Sequence, residues 1–220
     1  MLYINNKDKN EMITIEEAQD ILNMAKRLYP GQLSGVYIEE DMDFALCRDL
    51  NLGIRKITIP LLTFDDGEYY EEYNIENFVE IGEKVINHIN KEFGCNFEPN
   101  IKTMCIHAVC HEIGHTIDFY TQEYLGNNNY EEYCDKEYRA YYDNAHIYYQ
   151  AVDDLNDYIE EYGIDVDHEV IKSMTDDIRE IENRLDHAYR LLTPEKHADE
   201  FGAYFMNTYL SYLKFMFKEA

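Results

Sequence analysis

Apolar positions recur along most of this chain at steps of three and four residues, which is the spacing of one face of a helix. Ala18, Ile21, Leu22, Ala25 and Leu28 form the first such stripe. It predicts a helix from about Ile15 to Tyr29, with Thr14 and Glu17 as a capping box and Pro30-Gly31 as the stop. The period then shortens. Val36-Tyr37-Ile38 and Phe44-Ala45-Leu46-Cys47 flank an acidic turn and predict a hairpin. Arg55 to Leu61 is alternating and β-branched and predicts a third strand, with Pro60 at an edge or a strand end. Asp65-Asp66-Gly67 predicts a turn.

Helical spacing returns over Ile75 to Phe93, through Ile75, Phe78, Val79, Val85, Ile86 and Ile89, with Asn74 and Gly94 as caps. Another helix is expected from Ile101 to about Tyr120. Cys134, Tyr138, Tyr141, Ala145, Tyr148, Val152, Leu155 and Ile159 predict a long helix over Tyr130 to Tyr162, broken by Gly163. Ile171, Met174, Ile178, Ile181, Leu185 and Leu192 predict its partner over Asp167 to Leu192. Two such helices with a short joint make an antiparallel hairpin whose stripes pack on each other. Thr193 as N-cap and Pro194 at the first helical position predict a last helix to about Phe217. The expected fold class is α+β: mostly helical, with a small mixed or antiparallel sheet. One domain over 1–220 is expected, with 121–192 as an inserted helical hairpin.

Composition narrows the function. A chain of 220 residues, 45% hydrophobic, can bury a full core. The formal net charge of −26 argues against nucleic acid and anionic membranes as partners. The five cysteines are an odd number without a CxxC pair, which fits reduced thiols. The first residues show no apolar signal region and no stretch is long enough to span a bilayer. A cytoplasmic location is expected, with export by a signal-free route as the other option.

The chemistry concentrates in Cys110-His111-Glu112-Ile113-Gly114-His115. On a helix, His111 and His115 share one face, one turn apart, and two neutral imidazoles so placed grip one Zn²⁺. Glu112 then stands beside the open coordination position as a general base. A third ligand is needed. The metzincin pattern fails, because Thr121 stands six residues after His115 where His is required. Glu195-Lys196-His197-Ala198-Asp199 offers Glu195 as ligand and Asp199, on the same face, as acceptor for the other N–H of a ligating His. His197 and Glu200 are rival ligands. His107 lies one turn before His111, as a substitute ligand or a hydrogen-bonded neighbour. Asp118 either orients His115 or pairs with a base. Cys110 reads as a buried thiol as readily as a ligand.

The run His111 to Tyr120 resembles HExGHxxDxY of the anthrax-lethal-factor-like and Pro-Pro endopeptidase group, and Glu195 to Phe201 resembles that group's second helix. The second segment is also similar to ExxA-x-x-F of the ImmA/IrrE-like peptidases. Both are gluzincin-type zinc metallopeptidases. The resemblance covers about twenty residues in two islands. It implies a zincin-like fold, a Zn²⁺ cofactor, a peptide or protein substrate, and a tyrosine before the glutamate ligand that steadies the oxyanion; Tyr189 is the candidate. An extended peptide would be held by strand addition, with Arg55 to Leu61 as the candidate strand. Peptide deformylases share HExxH, but their EGCLS-like segment is absent. The expected activity is peptide-bond hydrolysis. The alternative is a non-catalytic or regulatory zincin whose acidic hairpin binds a partner protein or mimics nucleic-acid charge.

Overall fold

A computed structural model describes residues 13–41, 45–49, 54–60, 75–127, 129–163 and 167–216. The turn expected at Asp65-Asp66-Gly67, the cap at Asn74 and the N-terminal segment lie outside the described residues. Among the described residues, six helices and three strands follow in the order α1 (Ile15–Leu28), β1 (Val36–Asp41), β2 (Ala45–Asp49), β3 (Ile54–Pro60), α2 (Ile75–Phe93), α3 (Ile101–Tyr124), α4 (Tyr130–Tyr162), α5 (His168–Arg190) and α6 (Thr193–Met216). The architecture is mostly helical with one small mixed sheet.

The sheet order is β1-β3-β2, with β1 parallel and β2 antiparallel to β3. Ile38 pairs with Ile57 on one side, and Leu46 with Ile57 on the other. The expected β1-β2 hairpin is therefore corrected: β3 lies between the two runs. The reason is burial. Ile57, Thr58 and Ile59 are all buried, so both faces of β3 are covered, which suits the centre of a sheet. Pro60 ends the strand, in a position where its missing N–H is tolerated. Being central also removes β3 as a docking edge, because both of its sides are already paired; Leu61, the last residue of the expected strand, lies outside the described residues.

Contacts divide the chain into two compact units, 1–126 with 197–220, and 127–196. The line falls inside α6, so the first turn of that helix is counted with the second unit.

In the first unit α3 is the central helix. From Ile101 to Thr116 it is buried nearly all round, as a helix enclosed by neighbours must be. Helices α1 and α2 and the strands β2 and β3 pack on it. Local chemistry sets the starts. Thr14 and Glu17 make both bonds of the capping box on α1. Asn100 accepts from the N–H of Thr103 at 2.8 Å to begin α3. The side chain of Asn90 bonds both the N–H and C=O of Phe97, fixing the α2–α3 connection. Lys102 reaches Glu17 at 2.7 Å and ties α3 to α1. Phe205 and Met206 carry α6 into this core.

In the second unit α4 packs on α5. Gly163, at φ +54°, ends α4, and Asp167 caps α5 by accepting from Glu169 N–H. Two helices alone cannot enclose their stripes. Cys134 and Ala145 are buried, whereas Ile171, Met174, Ile178, Ile181 and Leu185 are half-buried.

Candidate metal centre

Helix α3 supplies Glu112 and both imidazoles. The rings of His111 and His115 lie 4.5 Å apart, nearly perpendicular at 88°. Glu112 is buried on the same helix.

Two glycines set how near α6 comes to α3. A Cβ on Gly114 would stand 3.0 Å from the Cα and carbonyl oxygen of Ala198 and 3.1 Å from Cβ of Phe201. A Cβ on Gly202 would stand 3.0 Å from Nε2 of His107. At Gly114 the α6 backbone lies closer than most side chains would leave it, and at Gly202 the missing side chain leaves room for the His107 ring; the close approach at Gly114 lets Asp199 reach His111.

Asp199, 2% exposed, sits at this crossing. Its Oδ1 lies 2.7 Å from Nδ1 of His111 and 3.7 Å from Nε2 of His107. A carboxylate only accepts, so Nδ1–H of His111 is the donor, and the lone pair of the neutral ring is on Nε2. That is the tautomer a metal needs.

One turn earlier on α6 is Glu195, 3% exposed. Among the described residues, His111, His115 and Glu195 form the group able to hold a metal ion, with one donor atom of each within 4.8 Å of the others. A set of two imidazoles and one carboxylate matches zinc sites that keep a fourth position for water or substrate. The donor chemistry therefore fits Zn²⁺.

The other expected residues fall as follows. His107 is buried behind His111, a neighbour of Asp199 rather than a member of the donor group. Asp118 lies 3.3 Å from Nδ1 of His197. Glu200 is exposed. Cys110 is fully buried, and burial pushes its thiol well above the ordinary range, as a core thiol. Tyr189 lies in the hairpin, its ring 6.2 Å from that of Tyr138 and 5.3 Å from that of Tyr141.

Two residues of the site were not singled out from sequence. The hydroxyl of Tyr138 donates to Oε1 of Glu195. Burial, followed by the Glu195 charge, raises the Tyr138 phenol and keeps it a donor. Glu137 accepts from Thr193 at both its N–H (2.7 Å) and its hydroxyl (3.0 Å). Helix α6 begins at Thr193 itself rather than after it, and the Thr193 hydroxyl donates to Glu137. The only sequence signal for Tyr138 was its place on the α4 stripe, where a half-buried phenol must find a partner.

Comparison of the chain with known protein families, with curated proteins and with solved structures finds no match. Among the described residues no helix is long and apolar enough to cross a membrane.

Proposed function

We propose that the protein is a zinc-dependent metallopeptidase of the zincin type, hydrolysing a peptide or protein substrate. The observation that carries this reading is the convergence of His111, His115 and Glu195 beside Glu112. A structural zinc site is closed by four protein ligands and needs no base. Here the group has three donors and a neighbouring carboxylate. His111, His115 and Glu195 would hold the ion, and Asp199 keeps His111 in the ligating tautomer.

A bound Zn²⁺ supplies Lewis acidity, lowering the pKa of a water and polarising a carbonyl. Glu112 accepts the proton of the attacking water on its carboxylate and returns it to the leaving amine. Tyr189 is the proposed hydroxyl for the developing oxyanion. An extended substrate would add to β1 or β2, each paired on one side only among the described residues.

The test uses the full chain and its Glu112→Gln variant. Metal analysis after dialysis should find about one zinc per chain in both, as the three-donor set implies. A mixed peptide library should be cut by the wild type and left intact by the variant. Zinc uptake without cleavage by the wild type at any pH would move the reading to the non-catalytic alternative.

A further inference from the structure

We propose that the helical hairpin sets the metal affinity: Tyr138, together with its neighbour Glu137, positions Glu195 as the third ligand. The inference rests on Glu195 being a metal ligand and goes beyond it by giving the hairpin a role.

The argument starts from the side chain. Glu195 has three rotatable bonds before its carboxylate, and the carboxylate is buried. A buried carboxylate must be met by donors, and the donor chosen decides where its oxygens point. Tyr138 donates to Oε1. Each carboxylate has about four acceptor sites, so one bond from a phenol leaves others for an ion. Glu137, the preceding residue on α4, takes both donors of Thr193, and Tyr133 donates to Oε1 of Glu137 as well. Thr193 begins α6, two residues before Glu195. Residues 137 and 138 thus fix the backbone and the head group of one helical turn. A ligand oriented before the ion arrives spends less binding energy on ordering, so affinity rises. Tyr138 and Glu137 act through Glu195 and are positioning residues.

The experiment is a zinc competition titration on the full chain, against a chromogenic chelator, for the wild type, Tyr138→Phe, Glu137→Gln and Tyr141→Phe. Tyr138→Phe keeps the ring and removes only the donor. It should weaken zinc binding by about tenfold to a hundredfold, the usual effect of losing such a support. Its visible spectrum with Co²⁺ should shift from the wild type, since ligand orientation changes. Glu137→Gln should weaken binding in the same direction and reports even if Tyr138→Phe fails to fold. Tyr141→Phe, a ring contact of the same cluster, should bind as the wild type does. Wild-type affinity in both Tyr138→Phe and Glu137→Gln would overturn the inference and leave the metal reading intact. Equal weakening in Tyr141→Phe would overturn it too, as general loosening of the hairpin. A wild type that takes up neither zinc nor cobalt would overturn the metal reading and this inference together.

Discussion

Nδ1 of His111 stands 2.7 Å from Oδ1 of Asp199, which joins residues 88 positions apart at the crossing of α3 and α6. The bond selects the tautomer and aims the ring. Removing it should be felt at the metal before it is felt in the fold. Asp199→Ala is expected to lower zinc affinity by about tenfold to a hundredfold. Asp199→Asn keeps an acceptor oxygen and should fall between the two. A zinc titration checks this, and an alanine variant with unaltered affinity would remove Asp199 from the site.

The identity of the third ligand is separable from its rivals. Glu195 belongs to the donor group, whereas His197 faces Asp118 and Glu200 is exposed. Glu195→Ala should lose most bound zinc after dialysis. His197→Ala and Glu200→Ala should retain it. Loss of zinc in either of the latter with retention in Glu195→Ala would reassign the ligand.

Much of this arrangement is legible along the chain, for reasons that are local. Thr14 and Glu17 cap a helix with their own side chains, and Gly163 ends one with its own φ, so neighbouring residues decide these boundaries. His111 and His115 share a face by helix geometry alone. Glu195 and Asp199 do so as well, which is why one bond from Asp199 to His111 fits the expected pattern. Strand order is different. It depends on which segment is covered on both faces, and nothing within Val36 to Cys47 says that Ile57-Thr58-Ile59 will lie between the two runs. Tyr138 is likewise opaque: its stripe says that the ring packs in the hairpin, and only the fold says that the hydroxyl finds Glu195. The extent of α3, to Tyr124 rather than Tyr120, reflects weak stop signals after His115.

Gly114 and Gly82 make a paired prediction about close approach. Alanine in a helix is favoured over glycine by about 1 kcal/mol. At Gly82 a new Cβ would meet Met104 at 3.5 Å, an ordinary contact, so Gly82→Ala should stabilise by up to about 1 kcal/mol. At Gly114 the new Cβ would meet backbone atoms of Ala198 at 3.0 Å, and backbone yields poorly. Overpacking of this kind costs about 1–3 kcal/mol, which outweighs the helix gain. Gly114→Ala should melt several degrees lower and bind zinc more weakly, because α6 is pushed off α3. Thermal melts of the two variants side by side decide it; a Gly114→Ala protein as stable as Gly82→Ala would mean the crossing is looser than described.

Tyr189→Phe tests the proposed oxyanion hydroxyl. Loss of one such donor lowers turnover by about a hundredfold or more. Zinc content should not change, because Tyr189 is outside the donor group. Unchanged turnover would make Tyr189 a packing residue of the tyrosine cluster with Tyr138 and Tyr141.

Cys105 carries a pH prediction whose sign follows from linkage. Burial in the core raises its thiol from 9.0 to about 12. Between those values the unfolded chain gives up the proton and the folded chain keeps it, so the folded state binds more protons. Stability is then whole below about pH 9 and falls as pH rises toward 12, the folded value. At pH 10 the loss from this one group is on the order of 1 kcal/mol. Many tyrosines also ionise in this range, so the comparison must be between proteins at the same pH. Cys105→Ala should start less stable at pH 7, because a buried group has been trimmed. It should then lose less stability than the wild type between pH 8 and pH 10.5. Denaturant titrations at the two pH values measure the difference, and parallel losses in both proteins would show that Cys105 is not shielded from alkali by the fold.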